Sequence, residues 1–282
     1  MDIDAFWEYS DPTASEARFR GALDATTGDT RLELLTQIAR TYSLRRRFAE
    51  AHALLDEVEP QLPGAGIRPR LRYLLERGRT FNSAGAVMPA RELFVQAWTE
   101  GVAHHEEGLA VDAAHMVAIT FGNAAEALTW NQQGIALARQ SRDPKARALL
   151  PAMLNNTAWA LHDAGQYTDA LTAFQAAEAA WTATNKSRPI QIAKWSVARC
   201  LRSLGRHQEA LDILNGLEAE YAAQQIVDGY LDEEIAENFL ALDQAAAAKP
   251  YFQRAAATLA QDEWFVQQET ARLARLQQIA VA

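Results

Sequence analysis

The stretch NNTAWALHDAGQYTDALTAFQAAEAA, residues 155–180, decides how the chain folds. Leu154, Thr157, Ala158 and Leu161 recur at helical spacing, and Gly165 then interrupts the run. A second periodic stripe follows with Ala170, Phe174 and Ala177. A glycine just past a helix end can take the left-handed conformation that terminates it. Two helices joined by so short a turn must lie antiparallel, as a hairpin.

The same frame recurs along the chain: a small residue, a turn residue, an alanine and a large apolar residue. It reads Ala39, Arg46, Ala51, Leu55, then Gly78, Gly85, Ala90, Phe94. It returns as Ala158, Gly165, Ala170, Phe174, as Ala198, Gly205, Ala210, Leu214, and as Ala236, Asp243, Ala248, Phe252. A degenerate copy lies between, around His115, Gly122, Ala127 and Asn131. Turn-to-turn spacing stays between 37 and 43 residues. A period near forty residues over six units specifies a solenoid of stacked helix pairs. The small residue of each first helix is expected to face the alanine of the second, so that the two axes approach closely.

This frame resembles the tetratricopeptide repeat (TPR) family, in the form with long repeats found in bacterial regulators. AWALHDAGQYTDALTAFQAA and VARCLRSLGRHQEALDIL carry the resemblance most strongly. Arg46 and Asp243 depart from it by replacing the turn glycine, and the proline that often closes a unit appears only as Pro63. The expectation is an all-α, right-handed superhelical solenoid forming one domain over residues 1–282. Residues 1–28 would form an N-terminal cap helix, 29–260 about six hairpins, and 261–282 a C-terminal capping helix. Asp11 and Pro12 suit an N-cap and a first helical position. Pro250 should start or kink the second helix of the last hairpin.

The resemblance also implies where a ligand would lie, in a concave groove lined by the first helix of each pair. By alignment that face presents Arg40, then Arg72, Arg79 and Asn82, with Asp112 following. Asn155, Trp159 and His162 come next, then Trp195, Arg199 and Arg202, and finally Tyr230 and Glu233. Arginine binds carboxylates bidentately and stacks on aromatic rings, which marks Arg79 and Arg199, with Trp159 and Trp195, as candidate anchors. The competing role for each of these residues is inter-repeat packing or salt bridging. The family's Lys/Asn/Lys/Arg clamp for C-terminal carboxylates is not reproduced, so a chaperone-tail receptor is not expected.

Composition narrows the classes further. Lys plus Arg number 27 against 36 Asp plus Glu, a net charge of −9 that disfavours nucleic acid as a partner. Arg45, Arg46 and Arg47 form the densest basic run and read as a solvated helix end. A single cysteine, Cys200, excludes an intrachain disulfide framework. The opening MDIDAFWEYSDP lacks the basic and apolar regions of a signal peptide, and no apolar run nears the ~20 residues that span a bilayer. A cytoplasmic location without membrane association is expected.

Catalysis finds little support. His162 and Asp163 are adjacent in sequence and diverge by about 100° on a helix, with no serine or cysteine nucleophile beside them. HHEEGLAVDAAH, residues 104–115, gathers imidazoles and carboxylates, and His105, Asp112 and His115 are its candidate metal ligands. There is no HExxH and no phosphate-binding glycine motif. No cofactor is called for. The expected function is non-catalytic binding of a protein or peptide, as an adaptor. A metal protein or enzyme built on the third repeat, a small-molecule or peptide sensor using Trp159 and Trp195, and self-association into homo-oligomers are the alternatives.

Overall fold

The computed structural model describes residues 1–122 and 124–281, leaving aside the side chain of Ala124. Fifteen α-helices follow one another, with no strand among the described residues. A short 3-10 turn, Ile3–Phe6, precedes α1 (Pro12–Leu23). Six hairpins then pair α2 (Gly28–Leu44) with α3 (Phe48–Val58), α4 (Ile67–Ser83) with α5 (Val87–Ala103), and α6 (Glu107–Ile119) with α7 (Ala124–Gln140). The remaining pairs are α8 (Pro144–Asp163) with α9 (Tyr167–Thr182), α10 (Ser187–Ser203) with α11 (His207–Ala223), and α12 (Gly229–Ala241) with α13 (Ala245–Leu259). α14 (Glu263–Gln268) and α15 (Thr270–Val281) close the chain.

One turn chemistry builds most of the hairpins. At the centres of the turns sit Arg46, Gly85, Gly165, Gly205 and Asp243, all with positive φ between 58° and 86°. The N–H of the next residue donates five residues back, as from Arg47 to Tyr42, Ala86 to Phe81 and Gln166 to Leu161, each at 2.9 Å. That bond and the left-handed residue together form the Schellman ending, which satisfies otherwise orphaned carbonyls. The α5–α6 connection uses the same device, with His105 at φ 59° and Glu106 N–H donating to the Gly101 carbonyl.

The third hairpin departs from this pattern. Its turn has four residues rather than three, and Thr120 and Phe121 donate only three residues back, to Val117 and Ala118. The longer turn shifts the register of α6 by one. Ala114, not His115, takes the small-residue position five before the helix end and is fully buried, and a Cβ placed on Gly134 of α7 would meet the Ala114 Cβ at 3.1 Å. His115 is only half-buried.

The small residue of the first helix also faces a different neighbour from the expected one. A Cβ added to Gly78 would lie 2.5 Å from the Phe94 ring, so in that hairpin it is the large apolar residue that fills the slot. Pro250 does not start its helix, since α13 begins at Ala245 and carries Pro250 exposed in its interior. Pro151 likewise lies within α8. The expected single C-terminal helix is two, broken at Glu269. At the other end Asp11 caps α1 as expected, accepting from Thr13 N at 3.0 Å and Ala14 N at 2.9 Å.

Packing divides the chain within α8 into two compact units, residues 1–153 and 154–282. In the first, Leu55, Leu71, Leu75, Phe94 and Val117 form one core, and Phe19, Leu34 and Ile38 another under Ile3. In the second, Phe174, Val197, Leu214 and Ile235 form one core. Phe252, Leu259, Phe265 and Leu276 close the C-terminal end of that unit. No helix among the described residues is long and apolar enough to cross a membrane.

Candidate functional site

Each unit carries a cavity bordered by first helices of its hairpins. In residues 1–153 the cavity measures about 310 Å³ and is lined from α2 by Gln37 and Arg40, and from α4 by Arg68, Arg72 and Arg79. α6 adds Leu109 and Asp112, α8 adds Lys145, and the segment before α1 adds Asp4 and Tyr9. Arg72 and Arg79 stand seven residues apart and therefore share a helix face, with Glu76 between them on the same side.

Glu76 is the buried hub of this face. Its Oε1 accepts from Arg79 Nη1 at 2.7 Å, Gln37 Nε2 at 3.3 Å and Arg40 Nη1 at 3.4 Å. Its Oε2 and the Nε of Arg40 are buried without a hydrogen-bond partner. Buried polar atoms are nearly always paired, which makes these two exceptions. Arg79 also pairs with Asp112, and Arg72 donates from Nε to Glu33 at 2.8 Å and from Nη2 to Asp4 at 2.9 Å. Although burial alone would raise it, the Arg79 guanidinium holds the Asp112 carboxyl below the usual range. Asn82 is half-buried and lies outside the cavity lining.

The proposed metal ligands do not converge. Asp112 is held by Arg79, and His105 is an exposed turn residue. Among the described residues no group of three or more His, Cys, Asp or Glu is placed to hold a metal ion.

In residues 154–282 the cavity measures about 270 Å³ and is apolar and aromatic, lined by Ile192 and Trp195 of α10, Tyr221 and Tyr230. Arg188 and Asp228 complete it and pair at 3.0 Å. Asp228 also caps α12, which fixes the carboxylate at the rim. Trp195 donates from Nε1 to the Tyr230 carbonyl at 3.3 Å. Its ring lies 6.2 Å from that of Trp159, which packs in turn on Phe174 and His162.

The other predicted residues of this unit serve packing and ion pairs. His162 Nε2 lies 2.9 Å from the Ser203 hydroxyl, which also accepts from Arg199 at 2.7 Å. Burial, then Arg199, pushes the His162 pKa down, so its neutral form is favoured. Arg202 donates to buried Glu234, with Nη2 to Oε2 at 3.0 Å. Arg199 lies 3.6 Å from the same carboxylate, and burial and Arg202 depress its pKa. Glu233 receives both hydrogen bonds of a bidentate Arg272 from α15, each at 2.7 Å. Asn155 is half-buried. The structure thus brings Arg40, Arg72, Arg79 and Asp112 to one cavity, and Trp195 and Tyr230 to another. Reading the sequence missed Gln37, Arg68, Lys145, Asp4 and Tyr9 in the first, and Arg188, Ile192 and Tyr221 in the second.

Known proteins match at the level of repeat and fold. A tetratricopeptide repeat model matches residues 31–58, which span most of α2 and α3. No curated protein matches the sequence. The structure is similar to the apo form of RapI, with a TM-score of 0.74 at 12% identity over 97% of this chain and 81% of that one. NprR in complex with its cognate peptide NprX aligns with a TM-score of 0.52 at 14% identity, covering 93% and 76%. A Podosopora anserina kinesin-light-chain-like array of nearly identical TPR-like repeats aligns with a TM-score of 0.57 at 23% identity, covering 71% and 99%. The chain has a TPR-like helical-repeat fold.

Proposed function

We propose that this protein is a non-catalytic binder of a peptide or of an extended segment of another protein, held on the first-helix faces of its hairpins. The observation that carries the reading is the pair of cavities on those faces, one charged and one aromatic. The charged one offers Arg40, Arg68 and Arg72, suited to carboxylate groups of a peptide. The aromatic one, with half-exposed Ile192 beside Trp195 and Tyr230, suits an apolar side chain. The binding of a peptide by NprR on a similar fold supports this reading. An adaptor acting in trans and a sensor of short peptides both fit it.

Selection of a displayed random-peptide library on the full chain tests the proposal. Wild type should enrich a family of peptides that Arg40→Ala or Ile192→Glu no longer enriches, with all three proteins melting alike. Enrichment that survives both substitutions would move the binding surface elsewhere and sink the reading.

A further inference from the structure

The segment before α1 already lies on the charged face. Asp4 places one carboxylate oxygen 2.9 Å from Arg72 of α4 and the other against Lys145 of α8. Asp2 stands 3.6 Å from the same ammonium. Trp7 donates from its indole N–H to Gln37 of α2 at 3.0 Å. Trp7 and Tyr9 stack in parallel, with ring centroids 4.9 Å apart, and Arg40 lies over both rings at 5.3 and 5.5 Å. Four side chains from three first helices therefore read one carboxylate and two aromatic rings, at positions 4, 7 and 9.

These are contacts a separate peptide could make, and they are built to be exchangeable. Asp4 and Lys145 are 40% and 48% exposed at their side chains, and Tyr9 is 62% exposed. Exposed charge pairs contribute little individually. No backbone hydrogen bond joins the segment to α2, α4 or α8 among those of its described residues. Its firm attachment is to α1 and the core beneath it, through Phe6 and Trp7 on Phe19, the Glu8 N–H on the Ser15 hydroxyl at 2.8 Å, and buried Ile3 in one core with Phe19, Leu34 and Ile38. Ile3 and Phe6 anchor the segment, and Asp4, Tyr9 and the polar edge of Trp7 occupy the charged face.

From this arrangement we infer that residues 2–9 are an intramolecular occupant of the charged face, and that the partner of that face is an acidic–aromatic peptide. Its chemistry is that of the occupant: a carboxylate for Arg72 and Lys145, an aromatic residue three positions later for Gln37 and Arg40, and a second aromatic two beyond. The inference rests on the reading of these helix faces as peptide-binding. A tethered segment competes at an effective concentration on the order of millimolar. If the free segment binds at about 100 μM, the tether weakens an incoming peptide about tenfold.

The probe is a fluorescein-labelled synthetic peptide of residues 1–10, MDIDAFWEYS, titrated by anisotropy against the full chain. Asp4→Ala/Tyr9→Ala empties the face without removing an anchor, and Asp4→Lys does so by charge repulsion without touching the ring packing. Both should bind the labelled peptide about tenfold more tightly than wild type does. Adding Lys145→Glu to either, or replacing Asp4 and Trp7 by alanine in the peptide, should abolish binding. Equal affinity for wild type and emptied variants would overturn the inference, as would no binding to variants that melt like wild type. A concentration-dependent dimer of wild type that Asp4→Lys dissolves would also overturn it, by making a second copy the occupant. If library-selected peptides bind wild type and emptied variants alike, this inference fails while the proposed function stands. If nothing binds the first-helix faces of any variant, both fail.

Discussion

A left-handed backbone costs an L-residue with a side chain about 1–2 kcal/mol, yet Arg46, His105, Asn185, Gln225 and Asp243 all adopt it. The fold holds them there because the alternative is an unfinished helix end. Ile226 N–H, for example, donates to the Tyr221 carbonyl at 2.9 Å only if Gln225 turns left-handed. Gln225→Gly relieves that cost and gives back roughly 0.4–1 kcal/mol through the freer unfolded chain. The variant should gain about 0.5–1 kcal/mol net by urea unfolding; unchanged or lower stability would contradict this account of the turns. Gly78 is the opposite case. Its missing Cβ is the space the Phe94 ring occupies, so Gly78→Ala should destabilise by about 1–3 kcal/mol through overpacking. A Gly78→Ala protein as stable as wild type would show that the ring can shift freely.

At the scale of elements, ion pairs stitch several first helices to the next one about one repeat along. Arg72 reaches Glu33 across 39 residues, Arg79 reaches Asp112 across 33, and Arg202 reaches Glu234 across 32. Arg272 of α15 does the same for Glu233 of α12, and Arg275 for Glu237, which ties the terminal helix to the last hairpin. Glu233 is 5% exposed, so removing its partner leaves a carboxylate buried and uncompensated. Arg272 itself is 39% exposed, which limits the loss. Arg272→Ala should cost about 1–3 kcal/mol, with hydrogen exchange speeding up first in α15. Uniform acceleration across the chain would contradict a local clamp. The hairpins were legible because their turns and alanines repeat at fixed offsets. The third escaped by one residue, because four residues separate α6 from α7 where the other hairpins have three, which shifts α6 relative to that frame and misassigns His115. The break at Glu269 was hidden in sequence that favours helix on both sides. The arginines were visible as a helix face, but their partners lie a repeat away, so cavity lining and ion pairing could not be told apart along one helix.

For the whole molecule, one buried and two half-buried histidines set a pH dependence. Burial foremost, assisted by a neighbouring arginine, pushes His52, His115 and His162 below their ordinary value. The folded chain therefore binds fewer protons than the unfolded one, and stability rises with pH in this window. Their contribution is complete above about pH 6.5 and is lost as pH falls through the lower folded values. Asp112 and Asp4 are also held low, by Arg79 and Arg72 against the effect of burial, and add a further loss below about pH 4. Calorimetry should show the melting temperature level from pH 8 to 7 and falling between pH 6.5 and 5. A melting temperature that rises toward pH 5 would contradict this assignment.

The central claim is that the first-helix faces hold a polypeptide, and its most direct test is affinity capture from a lysate of the source organism. Full-length wild type, Arg40→Ala and Ile192→Glu, matched in melting temperature, would be compared by quantitative mass spectrometry. The account predicts a partner enriched by wild type and lost in at least one variant. A partner retained equally by all three would contradict it.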